Sequence, residues 1–291
     1  MTGGRALVAG GAGAVGALFA ERLLGSGYEV TVADPAGSAG PPGARRTAGD
    51  ITAVDDALGA ELAAAELVVL AVPETVALAA LPGLAPHLRV DAVLVDTLSV
   101  KQPVTRAVRT HAPGIQAVGL NPMFAPSLGF EGRPVAAVVV NGGTGAENVL
   151  RLVAEWGASV VRVDATEHDR LAGATQALTH AAVLGFGLAL SELGPTAGEL
   201  RPIAPPPANT LLALLARIVS GTPEVYWDVQ HANPEAAAAR KALADGVRRV
   251  ADAVESGEQA GFDDLVDDLR GYLGEDLAPL AASCARLFAR L

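Results

Sequence analysis

Gly11-Ala12-Gly13-Ala14-Val15-Gly16 follows an apolar run directly and opens a helical pattern. Glycines at these spacings permit a tight strand-to-helix turn. They also let a pyrophosphate approach the free N–H groups at the helix N-terminus, where the dipole favours an anion. Asp34 closes the next apolar run, 18 residues beyond Gly16, where a carboxylate accepts hydrogen bonds from ribose hydroxyls. The expected cofactor set is Gly11, Gly13, Ala14, Val15, Gly16 and Asp34, with Val72 and Pro73 from the end of a later strand. A carboxylate at position 34 repels a 2′-phosphate, so NAD is expected over NADP, although Arg45 and Arg46 lie further on and could serve a phosphate. The competing reading is that the glycines only build the turn.

These residues need a sheet to position them. Apolar runs at Ala6–Gly10, Glu29–Ala33, Leu67–Val72, Ala92–Asp96, Ala117–Leu120, Val135–Val140 and Ser159–Val163 read as strands. Helical patterns alternate with them, which implies a mostly parallel sheet covered on both faces. From residue 164 the chain reads as all-helical: Glu167–Leu193, Ala208–Ser220, Pro234–Ser256 and Phe262–Leu291, with Pro202, Pro205, Pro206 and Pro207 as a break. The expected fold is an α/β Rossmann-type dinucleotide-binding domain over 1–163, then an all-α substrate and dimerisation domain over 164–291, with the active site in the cleft between them.

Composition narrows the function. The 291 residues carry 21 Lys+Arg against 32 Asp+Glu, a formal net charge of −11, and 51% are hydrophobic. That acidity argues against nucleic acid and anionic membranes as partners, while the apolar content supplies a real core. One cysteine, Cys284, excludes an internal disulfide framework and a Cys-rich zinc site, so no metal is expected. The absence of about 18 uninterrupted apolar residues makes a cytoplasmic location the expectation.

Three further segments carry a specific resemblance. Asp96-Thr97-Leu98-Ser99-Val100-Lys101 ends a strand, and Gly119-Leu120-Asn121-Pro122-Met123-Phe124-Ala125-Pro126 follows some twenty residues later. The third is Glu167-His168-Asp169, with Gln176-Ala177-Leu178-Thr179-His180 on the same long helix. Together with the glycine turn and the helical second half, the chain resembles the prephenate dehydrogenase family along nearly its whole length. The resemblance implies an NAD-dependent oxidative decarboxylation of a small dianionic cyclohexadienyl substrate by a homodimer. Hydride leaves ring C4, the ring carboxylate leaves as carbon dioxide, and aromatisation drives the reaction.

Carried over residue by residue, the resemblance makes Ser99 the active-site serine near the C4 substituent, with Lys101 in the same strand-end loop as a substrate contact. His180 matches a helix histidine one turn after Gln176, so both face one way. Arg217 matches an arginine whose fork pairs with a substrate carboxylate. Blander readings stand beside these: Ser99 as a helix N-cap, Lys101 as a solvated charge, His180 as a core histidine and Arg217 as a surface residue. His168 reads as a cap or brace at the domain junction, and His87, His111 and His231 as surface residues.

Asn121 departs from the family, which has histidine there to take the proton from a C4 hydroxyl. An amide has no titrating group and is no general base. The leading expectation is therefore an amine at C4: 4-amino-4-deoxyprephenate, whose nitrogen lone pair expels the hydride directly. The product would be 4-aminophenylpyruvate, a precursor for aminophenylalanine-derived antibiotics. Two readings compete: a prephenate or arogenate dehydrogenase in which another group replaces the histidine, and a non-catalytic NAD-binding sensor. Ala125, where the family often has glycine, adds a methyl beside the substrate, and Asn209 stands where some members have a further arginine.

Overall fold

The computed structural model describes residues 3–35 and 40–289. It contains two compact units, Met1–Ala172 and Gly173–Leu291. The expected boundary at residue 163 lies one helix earlier, because the helix Ala165–Ala172 belongs with the first unit.

The strands of the first unit are β1 (Arg5–Ala9), β2 (Glu29–Ala33), β3 (Arg45–Thr47), β4 (Leu67–Leu70), β5 (Val93–Asp96), β6 (Gln116–Pro122), β7 (Pro134–Asn141) and β8 (Ser159–Arg162). They form one sheet in the order β3-β2-β1-β4-β5-β6-β7-β8. Every neighbouring pair is parallel except β6 with β7. The helices between them are α1 (Ala14–Gly25), α2 (Asp56–Ala64), α3 (Glu74–Leu84), α4 (Gln102–His111) and α5 (Thr144–Glu155), and α6 (Ala165–Ala172) follows β8. Strand β3 was not expected from the sequence. Its Arg45-Arg46-Thr47 carries no apolar signal, and as an edge strand it has only β2 to pair with.

Side-chain alternation splits the core into two layers. Val8, Val32, Val69, Val95, Leu120 and Val135 pack on one face with α1 and α5. Leu7, Ala33, Val68, Leu70, Leu94 and Val138 pack on the other with α2, α3 and α4. Only 4% of the chain is aromatic, yet Phe19, Phe130 and Trp156 meet within the first layer, with ring centroids 5.0–5.7 Å apart. The Trp156 indole N–H is satisfied by the Ser26 hydroxyl at 3.0 Å, so this packing leaves no buried donor orphaned.

The second unit opens with a π turn, Gly173–Ala177, that interrupts the long helix expected over Glu167–Leu193. A Cβ on Gly173 would lie 2.7 Å from Cβ of Glu235, so glycine permits this close approach. The Gln230 amide donates to the Ala177 carbonyl at 2.7 Å, which satisfies an acceptor the irregular turn leaves over. The helices that follow are α7 (Leu178–Leu193), α8 (Ala197–Leu200), α9 (Pro206–Val219), α10 (Pro223–His231), α11 (Ala236–Glu255), α12 (Gln259–Leu273) and α13 (Leu277–Phe288). The helix expected over Pro234–Ser256 is present as α11, the one expected over Phe262–Leu291 is divided around Gly274, and α10 was not expected.

Candidate active site

The residues expected to hold the cofactor converge at the carboxyl ends of β1, β2 and β4. Gly10 takes φ +75°, a conformation disfavoured for residues with a side chain, and Val72 packs against it: a Cβ there would lie 2.8 Å from Val72 Cγ1. Sequence reading placed Gly10 in the strand and missed it as the turn residue. A Cβ on Gly16 would lie 2.3 Å from the Gly10 carbonyl oxygen, so α1 docks on the turn only with glycine there. Gly13 and Ala14 are exposed at the helix start, where among the described residues no side chain caps the backbone and no acidic residue occupies the first turn. The cradle therefore fits an anionic pyrophosphate. Asp34 directly follows β2 and is half-buried, and Pro73 caps α3. Arg45 is committed elsewhere, donating to Glu61 at 2.8 Å and to Thr31 at 3.0 Å.

The expected substrate contact of Lys101 is corrected by its burial. Lys101 is 0% exposed, and its ammonium donates to Asp96 Oδ1 at 2.5 Å and to the Leu120 carbonyl at 3.0 Å. Asp96 pairs in register with Gly119, whose missing side chain makes the room: a Cβ there would lie 3.0 Å from Lys101 Cδ. Burial pushes the Lys101 pKa down, opposed by the Asp96 carboxylate. The side chain serves the fold and presents nothing to a ligand.

Lys101 also begins a polar chain. Its backbone N–H and that of Gln102 donate to the Asp169 carboxylate at 2.7 and 2.9 Å. His168 Nδ1 lies 2.8 Å from Asp169 Oδ1, and His168 Nε2 lies 3.1 Å from Asn121 Nδ2. Burial raises the Asp169 pKa, but the hydrogen bonds from His168, Lys101 and Gln102 outweigh it and hold the carboxyl below its ordinary value. Asn121, His168 and Asp169 are all buried, which puts His168 within the candidate site. The motif Glu167-His168-Asp169 was visible in the sequence, but its partner Asn121 lies 47 residues away.

Ser99 is half-buried in the loop after β5 and, among the described residues, makes no hydrogen bond. It is no N-cap, since Lys101 occupies that position of α4. In the second unit, the His180 ring meets the Tyr226 ring edge-on at 5.0 Å. Burial, and then the nearby Arg217 charge, lower its pKa, so at neutral pH it offers a neutral ring. Arg217 is exposed on α9, and Gln176 lies in the π turn, half-buried. Among the described residues, no group of three or more His, Cys, Asp or Glu side chains is placed to hold a metal ion.

The family described as prephenate dehydrogenase, nucleotide-binding domain, matches residues 20–140. The 4-amino-4-deoxyprephenate dehydrogenase of Streptomyces pristinaespiralis is 55% identical over 99% of this chain and 97% of its own length. A probable arogenate/prephenate dehydrogenase of Methanocaldococcus jannaschii is 27% identical over 72% of this chain and 48% of its own. The fold matches that of Aquifex aeolicus prephenate dehydrogenase, crystallised with hydroxyphenyl propionate and NAD+. The TM-score is 0.71 at 17% identity, covering 94% of this chain and 99% of that one. The chain belongs to the prephenate dehydrogenase family.

Proposed function

We propose that the protein is an NAD-dependent dehydrogenase that converts 4-amino-4-deoxyprephenate to 4-aminophenylpyruvate with loss of carbon dioxide. The observation that carries this reading is Asn121, a buried amide at the end of β6. The relative that is 55% identical over nearly the whole chain is named for the same substrate. When bound, NAD accepts the hydride from ring carbon C4.

The protein's own residues orient and bind. The Gly10–Gly16 turn and the N-terminus of α1 hold the pyrophosphate, Asp34 takes the ribose hydroxyls, and Val72 and Pro73 line the cofactor. Asn121 Oδ1 accepts an N–H from the C4 amine, and the Ser99 hydroxyl serves the same substituent. Arg217 pairs with a substrate carboxylate, and His180 and Gln176 add neutral hydrogen bonds. The arylamine product suits biosynthesis of aminophenylalanine-derived antibiotics in the cytoplasm.

The homodimer reading rests on the second unit. Among the described residues, its own cluster of buried apolar residues is only Ala177, Val229 and Ala236, while Leu193, Ile203, Val219 and Tyr272 are 66–86% exposed. Helices this apolar need a further surface to cover them. The run Ala165–Leu193 is long and apolar enough to cross a membrane, but it carries Gln176 and His180 at mid-length, which suits a protein surface better than lipid.

The deciding experiment follows NADH absorbance with NAD and, in turn, the amino substrate, prephenate and arogenate. Faster turnover of either hydroxyl substrate overturns the reading, and equal use of NADP removes the role given to Asp34. Light scattering that finds a monomer removes the dimer.

A further inference from the structure

We infer that His168 is a positioning residue that fixes which end of the Asn121 amide faces the substrate, and thereby favours an amine over a hydroxyl at C4. The inference rests on the amino substrate proposed above.

The argument begins at Asp169. Its carboxylate is 0% exposed and takes hydrogen bonds from the backbone of Lys101 and Gln102, and an ionised carboxylate can only accept. The 2.8 Å contact therefore requires hydrogen on His168 Nδ1. In that tautomer Nε2 carries a lone pair, and it accepts from Asn121 Nδ2 at 3.1 Å. The orientation of the amide follows from this chain of partners. Asn121 Oδ1 then has no hydrogen bond from the protein among the described residues and is the end left for a ligand.

This orientation matters for an amine. The nitrogen lone pair must push the hydride out of C4, so a donor aimed at it would hold back the electrons the reaction needs. Oδ1 accepts one amine N–H and leaves the lone pair to the ring. An amide turned the other way would place Nδ2–H where it can bond that lone pair. A hydroxyl, by contrast, must lose its proton on becoming a carbonyl, and Oδ1 is too weak a base to take it. His168 thus acts through Asn121 and touches no substrate itself.

The test has two arms on the full-length enzyme. The first is a double-mutant cycle of His168→Leu and Asn121→Ala, read as kcat and KM for the amino substrate. His168→Leu alone should lower kcat by about ten-fold or more with little change in KM. In the Asn121→Ala background it should lower kcat no further. Losses that multiply in the double variant would overturn the inference. The second arm needs neither turnover nor a variant at position 168. Two-bond 1H–15N correlation spectra of 15N-histidine protein, with His168 identified by its shift on Asn121→Ala, should show the Nδ1–H tautomer. An Nε2–H tautomer sinks the inference even if the amino substrate is turned over. A wild-type enzyme that ignores the amino substrate sinks the substrate reading while the tautomer still decides the placement of His168.

Discussion

Lys101 Nζ lies 2.5 Å from Asp96 Oδ1, with side-chain exposures of 0% and 4%. A buried ion pair of this kind gains little over an apolar pair, but breaking it strands a charge. Lys101→Met should therefore destabilise the protein by about 3–5 kcal/mol, measured as a lower urea midpoint. Folded protein at low temperature should keep its KM for substrate. A raised KM with unchanged stability would return Lys101 to the substrate site.

Gly16→Ala adds a methyl that would lie 2.3 Å from the Gly10 carbonyl oxygen. Backbone cannot yield as a long side chain does, so α1 must shift away from the turn. NAD affinity, followed by fluorescence titration, should fall about ten-fold or more, because the N–H groups that meet the pyrophosphate move with the helix. Gly13→Ala is the comparison: its Cβ would meet the same oxygen at 3.3 Å, so the protein itself tolerates it better. Equal stability losses in the two variants would contradict this ordering.

In the proposed substrate site Arg217 supplies the positive charge, because His180 has its pKa lowered by burial and by Arg217 itself. Arg217→Ala should raise KM about ten-fold to a hundred-fold with a smaller effect on kcat, the loss expected for a hydrogen-bonded charge pair. Its His180 pKa, followed by NMR, should rise toward the ordinary value as the neighbouring charge goes. An unchanged KM would take Arg217 out of substrate binding.

Asp169 has its pKa held below the carboxylate reference of 3.8 by His168 and the backbone of Lys101 and Gln102. A folded-state pKa below the unfolded one means the stabilisation is complete above the unfolded value. It is lost as pH falls through that value toward the depressed one. Asp169→Asn should lower the urea midpoint at neutral pH and flatten its decline below about pH 5. Parallel curves for the two proteins would show that Asp169 contributes nothing to acid sensitivity.

The sequence by itself determined the turn chemistry and most of the sheet. Glycines, apolar runs and the closing Asp34 are local signals, and they report local backbone needs. It also carried Asn121 and the acidity, −11 in net charge, that argues against nucleic acid as a partner. Edge strand β3 escaped because its residues are polar and owe their conformation to β2 alone. The fate of Lys101 was decided only in three dimensions: a scarce, loop-borne lysine reads as a ligand contact until Gly119 across the sheet opens a buried slot for it. The same holds for His168, whose role depends on Asp169 beside it and on Asn121, 47 residues earlier in the chain. Hydrogen-bond partners chosen across strands and helices leave no periodicity in the chain, so only the tertiary structure shows which polar residue faces which.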